Sequence, residues 1–463
     1  MDWKGRTVTV MGLGLNTGGL GVVRYLLERG AKLIVTDMKS AEILEPTTLE
    51  IAQLPGSDDI EYVLGEHRYQ DFEGVDCVIK NPGVPDSSPY LEHARSNQVE
   101  VKTDLDLFFE EVSAMEKRPV VIGVTGTRGK TTTTMLIAHI LRAEFGEESV
   151  LVGGNVRSSV LNLVEKLTPD SKVVLELSSF QLGPIHTSPD IAVFTSFFPD
   201  HLNRYDSLDA YFADKTNILN YQDSRGVAVL NGMQPEIRNL ATNAAGEVVL
   251  FGTDCSMNRV CVDGGTSIMD NGQVVADVTD LQISGDHNVI NALAAIGAAR
   301  AAGVSQGGIS GALRSFPGVP GRQERIGTIN GVEIINDTTS TMPEALYTAL
   351  QTFRDRRVHL ICGGNNKELN YTGAAVHLHE GVEGIYLLPG TASQDLKQEF
   401  CSGPILCEEV SSVDAALEAA LDHAKEGDVI LFSPGATSFG QFQNEFERGD
   451  AFVAAAKSQG LTI

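Results

Sequence analysis

The sequence predicts an α/β protein of three domains, and three observations carry that expectation. Apolar, β-branched runs followed by a glycine turn and a helical pattern recur along the whole chain. One of them, Pro119 to Thr134, reads strand, glycine loop, Lys-Thr, helix in immediate succession. Two stretches interrupt the pattern, near residue 116 and at Phe316-Pro317-Gly318-Val319-Pro320-Gly321, so the expected domains are 1–116, 117–317 and 318–463. The first is expected to be Rossmann-like, the second a P-loop ATPase-type α/β domain, the third again Rossmann-like.

The first domain opens with a buried strand, Thr7 to Met11, then Gly12-Leu13-Gly14-Leu15, Gly18, Gly19 and Gly21, then a helix from Val22 to Arg29. A second strand, Lys32 to Thr36, ends at Asp37, which makes a βαβ unit with an acidic residue after its second strand. The dinucleotide fingerprint Gly-x-Gly-x-x-Gly would need glycine at Thr17, so a nicotinamide cofactor is not indicated. The turn either holds a nucleotide diphosphate or serves only as a tight bend. Cys77 to Lys80 leads into Asn81-Pro82-Gly83-Val84-Pro85 at a strand's C-terminal end, where ligands gather in open sheets.

In the second domain, Val120 to Val124 precede Gly126-Thr127-Arg128-Gly129-Lys130-Thr131-Thr132. Glycines let backbone N–H groups approach phosphates, the helix N-terminus favours anions, the lysine offsets charge and the hydroxyl reaches a magnesium ion. The strict Gly-x-x-x-x-Gly-Lys spacing would place a glycine at Val124, so the loop is a variant. Glu176 ends a strand beside this loop and suits a magnesium ligand, although a lone strand-end glutamate is usually solvated. Asp200-His201 follows another buried strand and can hold metal or substrate, or neither. Lys215, in a helix starting near Asp209, reads as an ordinary solvated lysine. Asn288 and Asn291 lie three apart on one helix face, fit for a base edge or for capping. The third domain repeats the βα pattern at Ile334 to Asp337, His359 to Lys367 and Asp428 to Ser438.

Composition bounds the function. The 463 residues are 42% hydrophobic and 21% charged, as expected of a globular chain that buries real cores. A net charge of −26 leaves no basic surplus, which argues against nonspecific binding to nucleic acid or anionic membrane. The six cysteines show neither Cys-x-x-Cys pairs nor zinc spacing, so reduced, buried thiols are expected. No leader and no apolar run of membrane length is apparent, and a cytoplasmic location is expected.

In this order, Gly126-Thr-Arg-Gly-Lys-Thr131, Glu176-Leu-Ser-Ser-Phe-Gln181, Asp200-His-Leu-Asn-Arg204, Gly285-Asp-His-Asn-Val-Ile-Asn291 and Gly321-Arg322 resemble the Mur ligase family of ATP-dependent amide-forming enzymes. The resemblance covers nearly the whole chain. Gly12-Leu-Gly-Leu15, Asn81-Pro-Gly-Val84, Asn336-Asp337, Gly363-Gly-Asn-Asn-Lys367 and Ser433-Pro-Gly-Ala-Thr-Ser438 with Glu447-Arg-Gly449 resemble its D-glutamate-adding branch. The Asp-Asn-Pro-Arg motif of the third-residue ligase is absent.

The resemblance implies ATP and two Mg²⁺ as cofactors, and UDP-N-acetylmuramoyl-L-alanine and D-glutamate as small-molecule substrates of a monomer. It implies an acyl phosphate made from the substrate carboxylate and then attacked by the D-glutamate amine. Lys130 would hold the phosphates and Thr131 the first metal; Glu176, His201 and a carbamylated Lys215 would hold the second. Gly126, Thr127, Arg128, Gly129 and Thr132 would complete the phosphate cradle. Asn288, Asn291, Arg322 and Asp337 would hold adenine, phosphate and ribose. Gly14, Leu15, Asp37, Asn81 and Ser178 would serve the UDP substrate, and Thr341, Lys367 and Ser438 the D-glutamate carboxylates.

The chain departs from the branch in places. Thr338-Thr339-Ser340-Thr341 stands where Ser-Lys-Ala-Thr is common, so either Arg128 or another cation substitutes for the lysine or the contact is dispensable. Glu445 stands where an aromatic is expected, Ser196 where Asn is usual, and Asn203 where Asp is common. The competing readings are a Mur-type or folylpolyglutamate-type ligase for another amino acid, a regulatory nucleotide switch without ligation, and an inactive binding module.

Overall fold

A computed structural model of the protein describes residues 2–15, 17–156, 158–201, 204–366, 369–438 and 440–462. It forms two compact units, Met1–Gln282 with Asp286–Phe316, and Ile283–Gly285 with Pro317–Ile463. The architecture is α/β throughout, with three separate sheets.

The first unit carries two sheets. The N-terminal one contains β1 (Thr7–Met11), β2 (Lys32–Asp37), β3 (Glu61–Leu64), β4 (Cys77–Lys80) and β5 (Glu100–Lys102), all parallel in the order β3-β2-β1-β4-β5. The second contains β6 (Val120–Thr125), β7 (Val150–Gly154), β8 (Lys172–Glu176), β9 (Ile191–Phe194), β10 (Val227–Asn231), β11 (Glu247–Phe251), β12 (Val260–Asp263), β13 (Ser267–Asp270) and β14 (Gln273–Asp277). Its order is β14-β13-β12-β11-β10-β9-β6-β8-β7, parallel except that β13 runs antiparallel to both β12 and β14.

The central strands read as uninterrupted apolar runs because helices cover both faces of a parallel sheet. Ile122, Val124, Val173, Val174, Val193 and Phe194 are fully buried, and each such side chain contributes about 1.5–3 kcal/mol. The chain runs from β6 out to β7, returns through β8, then crosses to β9 on β6's other side. The C-terminal ends of β6, β8 and β9 therefore meet where the winding reverses, the place at which open α/β sheets bind ligands.

The second unit contains β15 (Glu324–Ile329), β16 (Val332–Asn336), β17 (Val358–Gly363), β18 (Val382–Leu388), β19 (Leu406–Glu409) and β20 (Val429–Phe432). The order is β15-β16-β20-β17-β18-β19, with β15 antiparallel and the rest parallel. The loops after β16, β17 and β20 thus emerge side by side at one sheet edge.

The cysteines correct the expectation of uniformly reduced thiols. Cys255 pairs with Cys261, and Cys401 with Cys407. Each pair spans a short connection into a strand, β12 or β19, which brings Cα atoms within 5.1 and 5.7 Å. Cys77 and Cys362 are free and buried.

Candidate active site

The phosphate-loop candidate leaves β6 through two glycines whose backbones only glycine tolerates. Gly126 has φ +148° and Gly129 φ +84°; a Cβ would lie 2.1 Å from Thr195 Oγ1 at the first and 2.3 Å from Asn291 Oδ1 at the second. The helix Lys130–Phe145 starts directly after Gly129. The loop is braced from β9's end. Thr127 N donates to Ser196 O (2.8 Å), Arg128 N to Ser196 Oγ (2.9 Å), and the Thr195 and Ser196 hydroxyls donate to Arg128 O (2.7 and 3.0 Å). Arg128 itself is exposed, its guanidinium 5.3 Å from the Phe198 ring centre.

Two lysines converge on one carbonyl. Lys130 Nζ donates to Gly126 O and Thr127 O, each at 3.0 Å, and Lys215 Nζ donates to Gly126 O at 2.9 Å. Lys215 sits in the helix Leu208–Asn220 and is only 2% exposed, which corrects its reading as a solvated face residue. Burial, and after it the Lys130 charge, lower its ammonium pKa from 10.5 to about 7. The shift favours the neutral amine, the form that can act as a nucleophile.

Glu176 lies level with Val124 across the sheet and is 2% exposed, so it is not the solvated strand-end carboxylate that is commonest. Asn155 Nδ2 donates to its Oε1 (2.9 Å), while Oε2 is buried with no hydrogen-bond partner. An unpartnered buried carboxylate oxygen beside a phosphate loop is what a divalent ion would complete. His201, held at φ +54°, packs edge-on to Phe180 with centroids 5.0 Å apart, and burial lowers its pKa, favouring the neutral ring that ligates metal. Among the described residues no cluster of three His, Cys, Asp or Glu side chains is preassembled for a metal. Glu176 and His201 supply two donors; an ammonium at Lys215 supplies none, but a carbamate there would.

Ser178 caps the short helix Ser179–Leu182, its hydroxyl accepting from Gln181 N. Asn288 and Asn291 face one side of the helix Asp286–Ala301, joined by Asn291 Nδ2 to Asn288 Oδ1 at 3.1 Å. Asn288 stands inside the helix, not at its cap. Thr131 and Thr132 lie half-buried in the first helical turn after the loop. This unit therefore brings together Gly126 to Thr132, Glu176, His201, Lys215 and Asn291.

At the N-terminal sheet, Asp37 is 5% exposed and accepts from Gly14 N and Lys39 N, both at 2.9 Å. Its carboxylate holds the glycine turn to β2, leaving Leu15 56% exposed beyond it. Asn81 Oδ1 accepts from Gly83 N (3.0 Å), shaping the turn after β4. In the second unit, Asp337 accepts from Gln323 N (3.0 Å) and Ser433 Oγ (2.7 Å), and burial raises its pKa to about 7. Arg322 is exposed nearby. Thr341 is half-buried and Ser438 buried, on the loops after β16 and β20. Lys367, also expected here, lies outside the described residues.

Sequence reasoning gave no role to three supporting side chains. Tyr211 stands one turn before Lys215, its ring centre 4.7 Å from Lys215 Nζ and its hydroxyl 3.2 Å from Thr127 Oγ1; the i, i+4 spacing was the available signal. Asn155 orients Glu176, from a glycine-rich stretch with no motif of its own. Arg448, 2% exposed, donates to Thr338 O and Ala436 O (2.8 and 3.0 Å) and so ties the loops after β16 and β20 together. A cavity of about 550 Å³ is lined by Lys80, Arg95, Lys102, Thr103 and His186 among others and by none of the expected site residues. The unpartnered carboxylate oxygen and the converging lysines lie at the glycine loop instead.

Three family profiles match the chain: a Mur ligase MurD-like N-terminal domain over residues 6–103, a Mur ligase middle domain over 124–299, and a Mur ligase glutamate ligase domain over 321–435. Similar curated proteins include the UDP-N-acetylmuramoylalanine–D-glutamate ligase of Roseiflexus sp. (strain RS-1), 36% identical, with 99% of this chain and 100% of the relative covered. The protein of the same name from Geobacillus kaustophilus is 33% identical over 96% of each. Among solved structures, UDP-N-acetylmuramate-alanine ligase MurC from Thermotoga maritima matches with TM-score 0.63 and 21% identity over 98% of this chain and 99% of that one. MurF ligase from the same organism, in complex with ADP, matches with TM-score 0.61 and 16% identity over 99% and 96%. These last two share the fold. No helix among the described residues is long and apolar enough to cross a membrane.

Proposed function

The chain belongs to the Mur ligase family, and on that premise we propose that it ligates D-glutamate to UDP-N-acetylmuramoyl-L-alanine with hydrolysis of ATP, in cytoplasmic assembly of peptidoglycan precursors. The observation that carries this reading is the convergence of Lys130 and Lys215 on Gly126 O beside the orphaned Glu176 carboxylate. That arrangement suits a phosphoryl group and a divalent ion, and full-length similarity to D-glutamate ligases supplies the substrates.

A carboxylate is a poor acyl donor because oxide would have to leave; phosphorylation makes it an acyl phosphate that an amine can attack. Lys130 would swing from the loop carbonyls to the transferred phosphate and offset its charge. The Gly126–Thr132 backbone would cradle the phosphates, with Asn288, Asn291, Arg322 and Asp337 on the nucleoside and its phosphates. Bound magnesium, at two sites, would neutralise charge on the reacting oxygens. Thr131 would hold one ion; Glu176, His201 and carbamylated Lys215 would hold the other. Gly14, Leu15, Asp37, Asn81 and Ser178 would seat the UDP substrate, and Thr341, Lys367 and Ser438 the amino acid. Residues 1–116, 117–317 and 318–463 would be the functional domains of a monomer.

The test is an amino-acid screen with UDP-N-acetylmuramoyl-L-alanine and Mg-ATP, reading phosphate release and ligated product. Product with D-glutamate is expected. Turnover with a different amino acid only would overturn the assignment, and phosphate release independent of both acceptors would favour a regulatory ATPase.

A further inference from the structure

Arg204 touches three motifs within the first unit. Its Nη2 donates to Gly83 O at 2.9 Å, across to the turn after β4. Its guanidinium lies 5.3 Å from the Phe180 ring centre. Its backbone N donates to His201 O at 2.8 Å. Phe180 in turn meets the His201 ring edge-on at 5.0 Å and stacks on Tyr205 at 5.6 Å with a 13° tilt. The chain of contacts runs Gly83, Arg204, Phe180, His201.

Both ends of that chain need support. His201 has φ +54°, a left-handed backbone that a residue with a Cβ holds only when its surroundings impose it. At the other end, Gly83 uses both of its peptide groups: N–H to Asn81 Oδ1 and C=O to Arg204. The arginine therefore fixes the turn that orients Asn81 while its guanidinium lies over the ring that packs against His201. A lysine could supply the hydrogen bond but not the face, because guanidinium is planar and ammonium is a point charge.

We infer that Arg204 is a positioning residue that couples the Asn81–Gly83 turn to the His201 loop, so that occupation of the UDP-substrate side and of the metal side favour each other. The inference rests on the reading of those two loops given above. It makes the two occupancies reciprocal: whatever the substrate does for metal affinity, the metal does for substrate affinity.

The experiment uses the full chain, wild type, Arg204→Lys and Arg204→Ala, with circular dichroism and melting as the control for folding. The first readout is hydrogen exchange without ligands. Arg204→Ala is expected to speed exchange by about tenfold in segments containing both residues 81–84 and 200–206, the factor that one charge-assisted hydrogen bond supplies. Faster exchange in only one segment, or in neither, overturns the coupling whatever the protein binds. The second readout is Mn²⁺ affinity by electron paramagnetic resonance, with and without UDP-N-acetylmuramoyl-L-alanine. Wild type should bind Mn²⁺ at least fivefold more tightly with the substrate present; Arg204→Ala should lose that gain and Arg204→Lys keep part of it. A variant that keeps the gain, or merely melts earlier, makes Arg204 an ordinary structural residue. A wild type that binds neither ligand sinks the functional reading, while hydrogen exchange still decides the coupling.

Discussion

Lys215 makes stability depend on pH with a sign and size that can be worked out. Its pKa falls from 10.5 in the unfolded chain to about 7 in the folded one. Between those values the unfolded state binds more protons, so folding stability rises with pH across that window. Below about pH 7 the whole penalty of holding a charge in a buried site is present. At pH 7 it is about 4 kcal/mol, at pH 9 about 2 kcal/mol, and by pH 10.5 less than about 0.5 kcal/mol. Lys215→Met keeps the apolar stem and removes the titration. The variant loses the bond to Gly126 O, but that loss does not vary with pH once the variant is made. The difference in unfolding free energy between variant and wild type should therefore shrink by about 2 kcal/mol from pH 7 to pH 9. The single tryptophan gives the assay: Trp3 is 1% exposed and belongs to the same apolar cluster as Ile218, in Lys215's own helix. Its fluorescence reports guanidinium unfolding of the unit that contains Lys215. The chain is metal-free and in CO2-depleted buffer, since a carbamate would hold a fixed charge and flatten the curve. A difference that stays constant from pH 7 to pH 9 would falsify the buried-amine argument.

Three further outcomes follow. Glu176→Gln keeps the Asn155 contact at Oε1 and removes the charge, so turnover should fall by at least about a hundredfold with the melting temperature nearly unchanged; steady-state kinetics near wild type would show that the orphaned oxygen serves no ion. Gly129→Ala puts a Cβ 2.3 Å from Asn291 Oδ1 at φ +84°, and should cost about 1–2 kcal/mol of stability and abolish ATP binding by calorimetry; retained binding would mean the loop has another accessible conformation. Arg128→Ala should weaken ATP binding and slow turnover if this exposed arginine compensates for the absent lysine at Thr339, whereas unchanged values for both rule that role out.

Much of the fold was legible because parallel strands covered by helices on both faces must be written as apolar runs. Val120 to Thr125, Lys172 to Glu176 and Ile191 to Phe194 were each visible as such. The glycine loop was legible for a similar reason, since backbone approach and positive φ restrict the residue type. The burial of Lys215 was not, because a helical lysine carries no sign of it, although the family resemblance had singled the residue out; the packing of its helix against neighbouring elements removes it from water. The burial of Arg448 was hidden for the same reason, although the Glu447-Arg448-Gly449 motif was visible. The disulfides were hidden because Cys255 and Cys261, like Cys401 and Cys407, stand six apart in sequence, a spacing without a motif, and only the return of the chain into a strand brings them together.

The pairing of Lys130 with Lys215 explains why residue type alone misplaced the second lysine. A carbonyl oxygen has two lone pairs and can accept from both amines, but two ammonium groups on one oxygen would repel at short range. One of them must surrender its proton more readily. Burial decides which: Lys215 is 2% exposed, whereas Lys130 stands half-buried at the helix start. The Lys130 charge adds to that burial in lowering the Lys215 pKa. Moving Lys130 onto an incoming phosphate would take away part of that repulsion and add negative charge nearby, both of which favour protonating Lys215. The position of Lys130 thus bears directly on the protonation of Lys215.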